Sequence, residues 1–467
     1  MKNPLVSVSV PEIISPARLG LPFRWLLASS WASNIGDGIV LAAGPLLIAS
    51  ETSSPFLVAL AALLQRLPFM VLGLWAGAIA DRVDRRSVVM AANLARAVVI
   101  AVLAGTIATG AVNIPNILTS MLLLGCAETF ADTTSGTLVP SVVPREYLAT
   151  SNHRMSIGFI AGNQLIGPPL GAFFFGIGHV VPFGVQGVTV AVAIILVSRI
   201  NLCPVPEGAP GLALSSSAGT ARIRTDIAEG ARWLWQNNPV RMLAIIILVF
   251  NITWAGAWAV LVLWSREILG MDVVGFGLLT SFSALGGIAG SALFPVLARR
   301  VNYALLMRIC LCCEVALHLI FFFTFHPWVA MAGMAFFGLY AFVWGTLGQT
   351  IRMRAVPLAF QGRVTSVYLM CMTGGLVVGQ ALGGVVAEHF GLRAPFLFAF
   401  IGAGVTLAIV WKNVTHIAEA EAEPEAERQA EPETERQAEP EGRPIAEPET
   451  ERQAEPEGKP IVEPELA

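Results

Sequence analysis

Residues 77–86 read Gly77-Ala-Ile-Ala-Asp81-Arg82-Val-Asp84-Arg85-Arg86, a turn carrying five charges between two long apolar runs, near 55–79 and 87–109. Each run is long enough to cross a hydrocarbon core of about 30 Å, which takes roughly 20 helical residues. The turn is short, so the two runs lie side by side and antiparallel. Outward from it, ten more runs of the same kind follow. Four lie near 23–49, 115–139, 149–176 and 180–199. Six lie near 241–264, 272–298, 303–325, 327–351, 363–387 and 392–412. The pattern predicts an all-α integral membrane protein of twelve transmembrane helices.

Composition leads the same way. The 467 residues are 55% hydrophobic and 13% charged, against about 25% charged in soluble proteins. A water-soluble fold would have too little polar surface to cover that apolar material. The net charge of −3 averages two unlike parts. From Glu419 onward there are 17 Glu, four Arg and one Lys, a net −12, whereas the preceding 418 residues carry a net +9. In the tail, AEPETERQAEPEGRPI (430–445) is followed by AEPETERQAEPEGKPI (446–461). Proline at that spacing stops long helices and no apolar face exists to bury, so 413–467 is expected to be disordered and solvated. Residues 1–20 lack the apolar core of a cleavable signal peptide. Five of the six cysteines lie within apolar runs, so neither a zinc site nor a disulfide framework is suggested.

Charge placement sets an orientation. With the N-terminus cytoplasmic, 20 of the 24 basic residues before the tail fall at cytoplasmic ends or loops. Only Arg266 and Arg393 remain outside, and Arg66 and Arg96 fall within spans. Positive residues stay on the cytoplasmic side, so both termini are expected inside, in a bacterial inner membrane. The chain then divides into a cytoplasmic segment (1–20), a six-helix bundle (21–199), a linker (200–240), a second bundle (241–412) and the tail. Within the linker, Ile223 to Asn237 reads as an amphipathic helix.

The two sets of six look like repeats. Ala80-Asp81-Arg82-Val83-Asp84 matches Ala298-Arg299-Arg300-Val301-Asn302 at an offset of 218. Val143-Pro144 matches Val356-Pro357 at 213, and Gly167-x-x-Leu170-Gly171 matches Gly379-x-x-Leu382-Gly383 at 212. Parallel repeats of this kind place a substrate cavity between the halves near the midplane.

The 77–86 turn resembles the signature loop between spans 2 and 3 of the major facilitator superfamily, G-x-x-x-D-[R/K]-x-G-[R/K]-[R/K]. Asp84 stands where that pattern has Gly. The Asp variant resembles the branch of macrolide and siderophore exporters, drug:proton antiporters. Leu67-Pro68, Val143-Pro144-Arg145-Glu146 and Gly362-Arg363-Val364 extend the likeness. The resemblance implies alternating access, with Gly77, Asp81, Arg82, Asp84, Arg85 and Arg86 latching the halves on the cytoplasmic side when the protein is open outward. It also implies that Gly162, Gly167, Pro168, Pro169 and Gly171, with Gly158, form the fifth-span motif of antiporters. Small residues there let helices approach and Pro-Pro breaks the hydrogen-bond ladder.

Charges inside the bilayer are functional candidates by default. Asp37 lies mid-span 1, and Arg66 lies in span 2 within reach of it. Glu128 and Asp132, i and i+4 on one face of span 4, could each pair with Arg96 of span 3. Asp37, then Glu128, then Asp132 are the proton-coupling candidates. Glu314 and His318 in span 9 read as structural, because the family's ninth span is peripheral. Trp31, Asn34, Trp254, Trp258, Tyr340 and Trp344, with Phe282 and Tyr368, are cavity-lining candidates. The functional expectation is proton-coupled efflux of a hydrophobic or amphipathic small molecule by a monomer. It needs no cofactor beyond the proton gradient, no metal and no nucleic acid. Uptake or lipid flipping is the alternative transport reading, and a non-transporting receptor or scaffold the alternative of another class. No phosphate loop or nucleophile elbow supports an enzyme.

Overall fold

The computed structural model describes residues 19–80, 83–200 and 220–420. The acidic repeats, and Asp81 and Arg82 of the signature turn, lie outside the described residues. The first set of helices is α1 (Gly20–Glu51), α2 (Pro55–Ala80), α3 (Arg85–Ala108) and α4 (Ile114–Val142), then α5 (Leu148–Gly158), α6 (Gly167–Ile177) and α7 (Val181–Ser198). A linker helix, α8 (Thr220–Gln236), follows. The second set is α9 (Asn238–Ala259), α10 (Val273–Arg300), α11 (Tyr303–Phe323), α12 (Pro327–Ala355), α13 (Gln361–Phe390) and α14 (Ala394–Val410), with a short α15 (Val414–Ala418).

Ten of these helices are long and apolar enough to cross a membrane. The fifth crossing is made by α5 and α6 together, joined by a π-helical stretch, Phe159–Ile166. The twelfth, α14, has 17 residues, about 26 Å at 1.5 Å per residue. Twelve crossings result. Every predicted run ends within a few residues of a helix, with one omission. Span 7 was read as continuous to 264, but α9 stops at Ala259 and a π-helical turn, Trp264–Ile268, follows. No Pro or Gly stands in the break itself, from Val260 to Ser265.

The turns follow from local chemistry. The side chains of Asp84, Asn113, Asn237, Asp272 and Asn302 each accept a backbone N–H in the first turn of the helix they precede. Short polar N-caps satisfy donors that the helix itself cannot. Outward faces stay apolar: Val188 is 64% and Ile409 66% exposed, which fits hydrocarbon contact.

The duplication is visible in the packing. In the first set α2 packs on α4, α1 on α7 and on α6, and α3 on α4 and on α7. In the second set α10 packs on α12, α9 on α14 and on α13, and α11 on α12 and on α14. Each pair maps onto its counterpart six spans later. Glycines make the matching crossings possible. A Cβ on Gly167 would strike the backbone of Gly38, and one on Gly383 would strike Gly256. The sets meet through α2 with α13 and through α6 with α10, again exchanged by the same symmetry.

Candidate functional site

The element ends define a charged end, carrying the turns at 83–84, 145–147 and 301–302, and a far end, carrying those at 52–54, 178–180, 269–272 and 391–393. Among the described residues, Glu388 and Ser281 make side-chain hydrogen bonds between the sets toward the far end. Glu388, at the end of α13, accepts from the Ser54 hydroxyl (2.8 Å) and from the Phe56 backbone N–H (3.1 Å). It thereby caps α2 with an anion, which suits a helix N-terminus. Ser281 of α10 donates to the Leu165 carbonyl at 3.0 Å. That carbonyl lies four residues before Pro169, which has no N–H to offer it. Nearby, the Gly167 N–H reaches back five residues to Gly162, which widens the turn ahead of the prolines.

Between the sets lies a cavity of about 370 Å³. Gln65, Arg66, Asn163 and Gln164 line it from the first set, and Trp254, Trp258, Phe337 and Gln380 from the second. Trp254 stacks on Trp258 with centroids 4.8 Å apart and on Phe337 at 5.7 Å. The buried Gln380 Oε1 and Trp254 Nε1 have no hydrogen-bond partner among the described residues. The wall thus combines apolar area with a few orienting polar groups, as small-molecule sites do.

Behind this wall, inside the first set, the intramembrane charges come together. Arg96 is fully buried and its guanidinium is ion-paired with Asp37. It also donates to Ser33 Oγ (3.0 Å) and Asn93 Oδ1 (3.1 Å), and lies 3.9 Å from Glu128. Ser33 and Gln186 donate to Asp37 at 3.2 and 3.4 Å. Gln65 donates to Glu128 at 3.4 Å. Because Gln65 also faces the cavity, a polar chain runs from the cavity to Asp37. Two glycines permit this assembly. A Cβ on Gly36 would strike Thr189 beside Gln186, and one on Gly125 would strike the Gln65 carbonyl.

The partner of Asp37 is therefore Arg96, and Arg66 instead lines the cavity. Of the two span-4 acids, Glu128 is the one within ion-pair distance of Arg96; Asp132, one turn on, is exposed. Trp31 packs over Gly158, and Asn34 bonds to Ser30 on its own helix; neither is in the cavity wall. Phe282 is packed against the core. Tyr368 is buried beneath the Arg352 guanidinium, 4.2 Å away. Tyr340 and Trp344 line a second cavity within the second set.

The signature turn divides its labour. Asp84 caps α3 by accepting from Ser87 N (3.0 Å) and Ser87 Oγ (2.6 Å), and these bonds hold its carboxyl below the usual carboxylate range. That accounts for an acid where the superfamily pattern has Gly. Arg85 donates to the Thr137 carbonyl (3.2 Å) and Ser141 Oγ (3.3 Å), and Arg86 donates to the Ser198 carbonyl. These contacts satisfy carbonyls near the last turns of α4 and α7 within one set, where cations are favoured. In this conformation these bonds of Arg85 and Arg86 stay within the first set; the latch across the halves is an expectation for the outward-open state. Sequence reading also missed how the linker is held. Arg363 of α13 ion-pairs with Asp226 (2.9 Å) and Glu229 (3.2 Å) of α8, and Trp233 stacks on Phe360 at 5.9 Å.

The family model described as "Transmembrane secretion effector" matches residues 14–446. An uncharacterised MFS-type transporter of Mycobacterium tuberculosis is 39% identical over 136 residues, 28% of this chain and 31% of the relative. The chain thus matches about a third of the length of that curated relative. The multidrug efflux pump Tap of Mycolicibacterium fortuitum is 24% identical over 389 residues, 80% of this chain and 91% of the pump. The solved structure of the nucleoside transporter NupG superposes with a TM-score of 0.67 at 13% identity, covering 86% of this chain and all of that one. The chain is a multi-pass membrane protein by its apolar helices, and it belongs to the transmembrane secretion effector family of the major facilitator superfamily.

Proposed function

We propose that this transporter exports a hydrophobic or amphipathic small molecule from the cytoplasm, driven by protons flowing inward. The observation that carries the reading is Arg96, a fully buried cation bonded to Asp37 with a second acid, Glu128, 3.9 Å away. A buried guanidinium is costly without an anionic partner. A proton taken up by Asp37 removes that partner and leaves Arg96 to Glu128. Glu128 is bonded to Gln65, and Gln65 faces the cavity. Protonation and cavity shape are then linked through one side chain.

The positive-inside pattern assigns the charged end to the cytoplasm, with both termini there and the inner membrane as location. The conformation described, joined toward the far end, is then the one that takes cargo from inside. Rocking about the cavity would break the Ser281 and Glu388 contacts and open the outer side. Likeness to the efflux pump Tap supports the outward direction. A monomer with no cofactor suffices.

The test is efflux of candidate compounds from pump-deficient cells with and without an uncoupler. Efflux that continues unchanged after the gradient is collapsed would refute proton drive. Asp37→Asn should abolish coupled efflux at normal expression; full activity would remove Asp37 from the mechanism.

A further inference from the structure

The repeat places a second buried ionisable group where Arg96 sits. Arg96 is the twelfth residue of α3 and Glu314 the twelfth of α11, and both helices begin 218 residues apart, at Arg85 and Tyr303. Tyr340 on α12 falls within one residue of the register that Glu128 holds on α4. In the first set this position holds a cation paired with acids. In the second it holds an acid with no guanidinium beside it among the described residues.

Glu314 is 6% exposed. Tyr340 donates to its Oε2 at 2.6 Å. His318 stands 3.8 Å from Oε1, but its Nδ1 is within 2.9 Å of the Glu314 backbone carbonyl and is engaged there. The other side of the carboxylate opens on a chamber of about 260 Å³. Its walls are aromatic: Phe250 stacks on Trp344 at 6.3 Å, and Trp254 and Phe337 form the side shared with the central cavity. An acid from a peripheral span therefore lines a chamber beside the central cavity, with Trp254 and Phe337 as the wall the two share.

We propose that this chamber binds the cationic group of a lipophilic organic cation, with Glu314 as the counter-charge and Trp344 and Phe250 as the aromatic wall. Aromatic faces attract cations most strongly where water is excluded. A buried carboxylate gains from a partner that carries positive charge but little bound water. An organic cation meets both conditions, and a small hydrated metal cation meets neither. The proposal adds a ligand site to the exporter reading. Binding is measured without a gradient, so a failure of proton drive leaves this test standing.

The experiment uses the purified full chain in detergent. Equilibrium dialysis follows tetraphenylphosphonium and, as its neutral counterpart, triphenylphosphine oxide. Glu314→Gln should weaken tetraphenylphosphonium binding at least tenfold and leave the neutral probe within twofold. Trp344→Leu, which keeps the acid, should weaken the cation threefold or more with the same selectivity, and it serves as the readout if Glu314→Gln does not fold. Unchanged cation binding in these variants, parallel loss of both probes, or no binding of tetraphenylphosphonium by the unmodified protein would overturn the assignment.

Discussion

The hydroxyl of Ser281 on α10 is bonded to the Leu165 carbonyl on the other six-helix set, an acceptor that Pro169 leaves without its intrahelical donor. The broken fifth span and the closed end of the cavity are thus one feature. A helix interrupted by proline must place its spare carbonyl against a donor, and here the donor belongs to the other six-helix set.

Ser281→Ala should shift the resting equilibrium toward opening at the far end. A hydrogen bond of this kind contributes about 1 kcal/mol, or roughly a fivefold change in population. Distance distributions between spin labels in the 178–180 and 269–272 turns would report it. Glu388→Gln should act in the same direction by weakening the cap on α2, with an effect that fades as salt rises, because Glu388 is exposed. No shift in either variant would remove these contacts from the gate.

Arg96→Gln should destabilise far more than Asp37→Asn. Removing one member of a buried pair costs about 3–5 kcal/mol, and Arg96→Gln leaves two acids unbalanced. Thermal unfolding in detergent should show a large loss for Arg96→Gln and partial recovery in the Asp37→Asn, Arg96→Gln double variant. Equal melting of both single variants would contradict the shared-cation arrangement.

Gly125→Ala should cost about 1–3 kcal/mol through overpacking, because the added methyl meets the Gln65 backbone. Efflux should fall with it, since Gln65 ties Glu128 to the cavity. Gly73→Ala, where a Cβ meets nothing within 4 Å, should not lower melting and should raise it slightly, because alanine favours the helix.

Asp84→Ala should destabilise by about 0.5–1 kcal/mol, the lower part of the range for a lost N-cap. Its carboxyl is held below its ordinary value, which is near 4. The stabilisation is therefore present above about pH 4 and is lost as pH falls through the lowered value. Melting curves of Asp84→Ser, which keeps a cap that does not ionise, should lack that acid-side loss.

Much of this was readable from the chain because it is local. Apolar run length against bilayer thickness gave the twelve crossings. Recurring strings near one offset gave the repeat that α1 with α6 and α9 with α13 display. Sequence also marked Asp37, Arg96 and Glu128 as costly at membrane depth. It did not select Arg96 over Arg66 as the partner of Asp37, because that choice depends on how closely α1, α3 and α7 approach. Nor did it turn Glu314 inward, find the acceptor for Ser281, or break span 7 after Ala259. Hydropathy and spacing act along one chain and are decided by solvent. Which buried charges meet, and which end stays joined, is decided by packing between helices far apart in sequence, and only the tertiary structure sets it.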